Sequence, residues 1–145
     1  MIDEKIKDII EVIKSGGEYI SNVTTKTLLP FVNIGDTIHI TKNRGIYKND
    51  IIIYKYNNGN YQLTRVVKIN KYSYSVCPDN VIKMPDKIYF DQIVGRVIQV
   101  THDGKDCIND SLSYRLYLRL INIRSLKRIF LRFKFRKNII KKETA

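Results

Sequence analysis

Residues 51–69, IIIYKYNNGNYQLTRVVKI, contain two apolar runs separated by a turn signal. The run Ile51–Tyr54 is short and continuously apolar, which is typical of a buried strand, and Tyr61–Ile69 is rich in β-branched and aromatic residues. Between them, Asn57-Asn58-Gly59 favours a hairpin, because Asn and Gly tolerate positive φ angles. The segment therefore predicts two adjacent antiparallel strands.

Further β-type segments lie on both sides of this hairpin. Thr37–Ile40 alternates polar and apolar side chains, and the composition predicts strands at Tyr72–Cys77 and Ile93–Val100. Many short strands within roughly 80 residues, separated by turn signals, favour a coiled β-barrel or sandwich over βαβ units. We expect a mainly β (α+β) fold, with Asp36 and Asp50 shaping turns at strand starts.

Helical patterns flank the β-type region. Residues 3–15 carry isoleucines at i, i+3, i+4 and i+7, and Gly16-Gly17 ends this short helix. After residue 104 two apolar stripes are out of phase, which predicts two helices with a break near residues 122–124. The sequence thus predicts an N-terminal amphipathic helix over 1–17, a β core over 18–104 and a basic helical tail over 105–145. The predicted stripe of the last helix consists of Leu126, Ile129, Phe130, Phe133 and Ile140.

The positive charge is concentrated in the tail. Of the net charge of +12, residues 111–145 contribute +10, from 11 Lys or Arg and one acid, Glu143. The first residues show neither a signal-peptide core nor a span of about 20 apolar residues, so we expect a cytoplasmic location. Two cysteines are too few for a disulfide framework, and His39 and His102 lack metal-ligand spacing, so no metal or cofactor is expected.

Several short motifs follow one another in the predicted β core. They are Thr27-Leu28-Leu29-Pro30, Gly35-Asp36, Lys48-Asn49-Asp50, Thr64-Arg65-Val66-Val67, Pro78-Asp79-Asn80 and Val94-Gly95-Arg96-Val97. Their order and spacing resemble the signal peptidase I family of serine peptidases and the related self-cleaving repressors, in particular small soluble bacterial members that are associated with the maturation of peptide natural products. The resemblance covers roughly residues 18–104 and implies the coiled β core of that family.

The resemblance assigns catalytic positions to Thr27, Thr64 and Asp79. The family nucleophile is Ser in Ser-Met-x-Pro, where this chain has Thr27, and the family base is His in His-Arg-Val-Val, where it has Thr64. The β-branched Thr27 crowds the approach to a scissile carbonyl, and Thr64 cannot accept a proton near neutral pH. Loss of a positioned base typically costs ~10²–10⁴-fold in rate, which favours an inactive centre. Without a base to orient, Asp79 is predicted to be a turn residue after Pro78, while Arg65 is predicted to pair with an acid.

Members of this family bind substrate as an added strand. The resemblance therefore implies a peptide or precursor-peptide ligand, with Thr27 and Thr64 facing each other across a shallow groove. We interpret the chain as a peptide-binding pseudo-peptidase; the alternatives are an active serine/threonine-type endopeptidase and a β domain that acts through its basic tail. The implied substrate-binding residues are Leu28, Leu29, Pro30, Phe31 and Arg65.

The tail allows more than one interpretation. A cationic amphipathic helix over 123–140 is suited to the anionic inner face of a membrane. Alternatively, its apolar stripe packs on the β core while the charges are solvated. Binding to nucleic acid is a third interpretation, but the aromatic residues follow helical spacing and no recognised nucleic-acid motif occurs, which argues against it.

Overall fold

The computed structural model of the protein describes residues 10–23, 32–42, 45–56, 59, 61–108, 112–123, 126–129 and 131–132. These residues form one antiparallel sheet of eight strands with three short α-helices and one 3-10 helix. The strands are β1 Tyr19–Asn22, β2 Thr37–Lys42, β3 Ile51–Lys55, β4 Tyr61–Ile69, β5 Tyr74–Cys77, β6 Asp86–Ile88, β7 Ile93–His102 and β8 Lys105–Asp106. The helices are α1 at residues 10–14, the 3-10 helix Phe90–Gln92, α2 Leu112–Asn122 and α3 at residues 126–129 and 131–132.

The sheet order is β1-β2-β7-β3-β4-β5-β6, with β8 paired to β7. Among the described strands the sheet is not closed, so β1 and β6 lie at its two edges. The mainly β prediction with accessory helices is therefore confirmed. Strands β7 and β2 approach each other closely at Gly95, where an added Cβ atom would lie 2.8 Å from the carbonyl oxygen of Thr41.

The predicted hairpin is formed by β3 and β4. Its register places Ile51 opposite Arg65 and Lys55 opposite Tyr61, and Gly59 in the turn has a φ of 88°. Side chains alternate along the strands, so Ile51 and Ile53 enter one hydrophobic core while Ile52 enters the other. Because both faces of β3 are covered, its sequence is an unbroken apolar run rather than an alternating one.

The two cores lie on opposite faces of the sheet. The first core includes Ile13 of α1, which is fully buried. The second core includes Ile88 and Ile93, which lie on either side of the 3-10 helix in the sequence. Each fully buried aliphatic side chain contributes roughly 1.5–3 kcal/mol by leaving water. The first core comprises Ile13, Val23, Val32, Ile38, Ile40, Ile51, Ile53, Leu63, Val97 and Val100, and the second comprises Ile46, Ile52, Tyr54, Val66, Val76, Ile88 and Ile93.

In helix α3, the side that is buried is not the side that carries Leu126 and Ile129. Helix α2 ends at Asn122, which confirms the predicted break, and the amide of Lys127 donates to the carbonyl of Ile123 at 2.9 Å. In α3, Lys127 and Leu131 are buried, whereas Leu126 and Ile129 are 43% and 54% exposed. At Leu126 and Ile129, the interpretation in which the apolar stripe packs on the β core therefore does not hold. Phe130, Phe133 and Ile140 lie outside the described residues.

No helix in the described segments is long and apolar enough to cross a bilayer. The predicted N-terminal helix is seen from residue 10 onward, where Ile10 and Ile13 are buried. Gly16 follows it with a φ of 90°, as expected for a residue that ends a helix.

Candidate functional site

The structure describes part of the centre that the family resemblance assigns. Thr64, Arg65 and Asp79 are described, whereas Thr27 and the expected binding residues Leu28, Leu29, Pro30 and Phe31 lie outside the described residues.

Arg65 and Asp79 form an ion pair that is withdrawn from solvent. The Arg65 side chain has no exposed surface and that of Asp79 is 1% exposed. The Nε atom of Arg65 donates to both carboxylate oxygens, at 2.9 and 3.1 Å, and Nη2 donates to Oδ2 at 2.9 Å. This arrangement brings β4 and the loop after β5 together, and it confirms that Arg65 pairs with an acid.

The remaining hydrogen bonds of the pair come from a helix and a loop. Nη1 of Arg65 donates at 2.9 Å to the backbone carbonyl of Asn49 and to the hydroxyl of Tyr114. The hydroxyl of Tyr117 donates to Oδ2 of Asp79 at 2.9 Å. Asp79 lies in a turn after Pro78, as predicted, and it is at the same time a buried acceptor that joins β4 to α2. A single sequence gives no indication of the partner 38 positions away.

The surroundings of Arg65 keep its guanidinium charged. Burial by itself lowers the pKa of Arg65, but Asp79, Tyr114 and Tyr117 together outweigh that effect, and the pKa lies above its ordinary value. Burial and then the negative charge of Asp79 raise the pKa of Tyr117 far above its ordinary value, so its hydroxyl stays protonated and donates. The cluster is therefore an arrangement of satisfied hydrogen bonds and not a source of mobile protons.

Thr64 points away from this cluster. Adjacent residues of a strand direct their side chains to opposite faces, so Arg65 lies on the face of Ile51 while Thr64 lies on the face of its partner Ile52. Thr64 has no exposed surface, and within the described residues its hydroxyl has no hydrogen-bond partner. The structure thus brings Arg65 and Asp79 together but not Thr64. A buried Thr64 differs from the expectation that it lines a shallow groove.

The two histidines contact carboxylates near the surface. Nε2 of His39 lies 2.7 Å from Oε2 of Glu18, while His102 is half exposed and its Nδ1 contacts Oδ1 of Asp36. The hydrogen bond to Asp36 raises the pKa of His102. Asp36 also accepts a hydrogen bond from the amide of Asn33 at 2.9 Å, which confirms its predicted role in a turn.

Asp50 has the matching role before β3. Its carboxylate accepts a hydrogen bond from the amide of Tyr47 at 2.8 Å, and burial raises its pKa. Elsewhere, no group of three or more His, Cys, Asp or Glu side chains within the described residues could hold a metal ion.

Three further residues belong to this region although no sequence motif marks them: Tyr114, Tyr117 and Lys127. Tyr114 and Tyr117 are three positions apart in α2, so they share one face of the helix, and this spacing was the available signal. Lys127 is 6% exposed, and its ammonium group donates to the carbonyl of Pro78 at 3.0 Å and lies 3.6 Å from the Cys77 sulfur. Because Lys127 lies in a strongly basic tail, the sequence did not indicate that its side chain would be buried.

Comparison with known proteins does not assign the chain to a family. No protein-family model matches the sequence. No curated protein matches it either. The likeness to signal peptidases therefore depends on the motifs of the β core and stays a hypothesis.

Proposed function

We propose that this protein is a peptide-binding homologue of signal peptidase I-type serine peptidases, built on their coiled β core, that does not cleave its ligand. The observation that supports this proposal is the state of Asp79. Its carboxylate is fully engaged by Arg65 and Tyr117, and Thr64 is directed to the other face of β4. A general base must titrate near neutral pH, and the hydroxyl of Thr64 does not.

Peptide binding is proposed at the edge strand β1. Its sequence, YISN, has no charged residue and no proline, and Ile20 is 64% exposed. Edge strands that avoid pairing usually carry charges, prolines or bulges. The opposite edge, β6, has the sequence DKI, directly follows Pro85 and is only three residues long. Of the two edges, β1 is therefore the better template for an added strand.

The register identifies which main-chain groups of β1 face outward. The amide of Val23 donates to the carbonyl of Asp36 at 2.7 Å, in line with the pairing of Asn22 with Thr37. Because bonded and non-bonded pairs alternate in an antiparallel ladder, the N–H and C=O groups of Ile20 and Asn22 point away from β2. A peptide in extended conformation can pair with these groups, and the exposed Ile20 side chain then contacts its alternate side chains.

A peptide array tests binding and cleavage together. Short neutral peptides of extended conformation are incubated with the full chain, binding is followed by fluorescence anisotropy, and products are sought by mass spectrometry. Ile20→Pro removes the outward N–H group and should abolish binding, whereas Ile20→Val keeps that group and should preserve it. Cleavage that disappears in Thr27→Ala would show an active endopeptidase and overturn the pseudo-peptidase proposal.

The biological ligand proposed here is a precursor peptide, because the family resemblance is to proteins of peptide maturation in the bacterial cytoplasm. The expected result is that the full chain, purified from the organism that encodes it, carries a short peptide encoded in the same genome. Binding that is indifferent to Ile20→Pro would indicate a different surface.

A second proposed function is peripheral contact with an anionic membrane. Leu112, Leu116 and Ile123 lie along the exposed side of α2 and its end, at 71%, 55% and 49% exposure. Leu126 and Ile129 of α3 are exposed as well, and so are Arg115, Arg119 and Arg128 of the same two helices. An apolar strip bordered by cations matches an interface of acyl chains and anionic headgroups. Each basic residue near such a surface contributes about 1 kcal/mol.

Vesicle sedimentation tests this second function. Leu116→Ser combined with Leu126→Ser should weaken binding of the full chain to phosphatidylglycerol vesicles, because both side chains leave the apolar strip. Ile69→Ser, at an exposed position of β4, is the matched control and should have no effect. Equal sedimentation of the double variant and the unaltered protein would contradict the membrane function.

A further inference from the structure

The sheet contains a notch beside β7. Strand β3 begins with Ile51 opposite Val97, and β8 places Asp106 opposite Thr101. Thr101 also pairs with Thr37 of β2, so β8 must lie on the same side of β7 as β3. Neither β3 nor β8 therefore stands opposite Ile98 and Gln99. Residues of α2 and of the loop before β3 border this gap and line an open pocket of about 460 Å³.

The lining of the notch combines an apolar floor with a cationic rim. Ile108 and Leu118 are apolar and partly buried, while Lys48, Arg96 and Arg115 supply three positive charges. The one acid among the lining residues is Asp50, whose Oδ2 lies 3.7 Å from Nη1 of Arg96. Within the described part of the chain, Lys48 and Arg115 have no carboxylate within ion-pair distance. The notch therefore has excess positive charge.

We infer that this notch binds a small organic carboxylate whose apolar part lies on Ile108 and Leu118 and whose charge is held by Arg115 and Lys48. A pocket of this volume falls within the range of small-ligand sites. Guanidinium groups suit carboxylates because they donate in a planar fork. This inference is independent of strand addition at β1, since the notch lies beyond β2 and β7 in the sheet.

Two sources supply this chemistry, the C-terminal residue of a peptide and a free aliphatic acid. N-acetyl-leucine represents the first and hexanoate the second, and N-acetyl-leucinamide is the neutral control with the same side chain. We expect at least one of the two acids to shift the backbone amide signals of Ile98 and Leu118 in an NMR titration of the full chain. The amide should leave them unchanged, and the acid that binds more tightly identifies the source.

Charge variants test whether the rim holds the ligand. Arg115→Gln should weaken binding of the acid by about tenfold, the effect of one charge-assisted hydrogen bond. Arg119→Gln removes the same charge from the same helix outside the notch and should have little effect. Asp50→Asn keeps an oxygen for the amide of Tyr47 but removes the one acid, so it should tighten binding.

The inference is overturned by any of three results. These are equal shifts with the acid and the amide, signal changes that map away from the notch, and equal losses in Arg115→Gln and Arg119→Gln. Failure of peptide binding in Ile20→Pro has no bearing on these measurements, so the two proposals are tested separately.

Discussion

The guanidinium of Arg65 and the carboxylate of Asp79 are paired through three hydrogen bonds at a place where neither side chain is accessible to water. The family resemblance places Asp79 in a catalytic role, but here its second oxygen also accepts from Tyr117. A carboxylate held in this way stabilises the packing of α2 against the sheet. Removal of one partner of such a pair leaves an uncompensated buried charge.

Asp79→Asn should lower the free energy of unfolding by about 3 kcal/mol, because Arg65 stays charged and buried without its counterion. Tyr117→Phe removes one hydrogen bond to the same carboxylate and should cost about 1–2 kcal/mol. Urea denaturation followed by circular dichroism measures both changes. A loss of less than about 1 kcal/mol in Asp79→Asn would show that water reaches the pair.

Thr64→Val should leave the stability unchanged or raise it by up to about 1 kcal/mol, because it replaces a buried hydroxyl that has no described partner with a methyl group. Thr64→Ser is the control, since it keeps the hydroxyl and loses a methyl group worth about 0.8 kcal/mol. Thermal unfolding of the two variants compares their stabilities. If the Thr64→Val variant is clearly less stable than the Thr64→Ser variant, the hydroxyl has a partner in the folded protein. Introducing a larger His at this packed position should itself be destabilising.

His102 should titrate above its ordinary pKa because Asp36 accepts a hydrogen bond from its ring. A raised folded-state pKa means that protonated His102 stabilises the fold below its unfolded-state pKa, and that this stabilisation is lost as pH rises through the folded-state value. His102→Gln should therefore lower stability most in mildly acidic solution and least in alkaline solution. Denaturation at several pH values tests this expectation, and the opposite pH trend would contradict it.

Gly95→Ala should destabilise the sheet by about 1–3 kcal/mol, because the new Cβ atom would meet the Thr41 carbonyl oxygen, the backbone of β2. The matched control is Gly45→Ala, whose Cβ atom would lie 3.9 Å from the ring of Tyr47, an ordinary contact. Thermal midpoints of the two variants should differ clearly. Equal midpoints would show that β2 and β7 can move apart at little cost.

Local patterns predicted the hairpin and five of the eight described strands, namely β2, β3, β4, β5 and β7. The unbroken run Ile51–Tyr54 and the turn at Asn57-Asn58-Gly59 depend on neighbours in sequence, and β3 and β4 form there. The pairing of Asp79 with Tyr117 could not be predicted, because it joins a loop to a helix that lies far along the chain. A polar residue after proline is compatible with a turn and with a buried site alike.

Helical periodicity also has a clear limit, which α3 illustrates. Spacing groups Leu126 with Ile129 on one face, but it does not indicate which face meets the sheet. In this protein Lys127 turns inward because the carbonyl of Pro78 accepts its ammonium group, and the leucine and isoleucine remain in solvent. The hydrogen bond to the Pro78 carbonyl thus accompanies a helix orientation in which the lysine is buried and the two apolar side chains are exposed. Hydrophobicity alone favours the opposite orientation.

The link from Arg65 through Asp79 to Tyr117 has a consequence for the order in which the protein folds. Because Tyr114 and Tyr117 belong to α2, the ion pair stays in contact with water until that helix docks on the sheet. Docking of α2 is then the step that dehydrates the pair. A chain truncated before residue 112 would therefore keep a hydrated ion pair on an incompletely covered sheet.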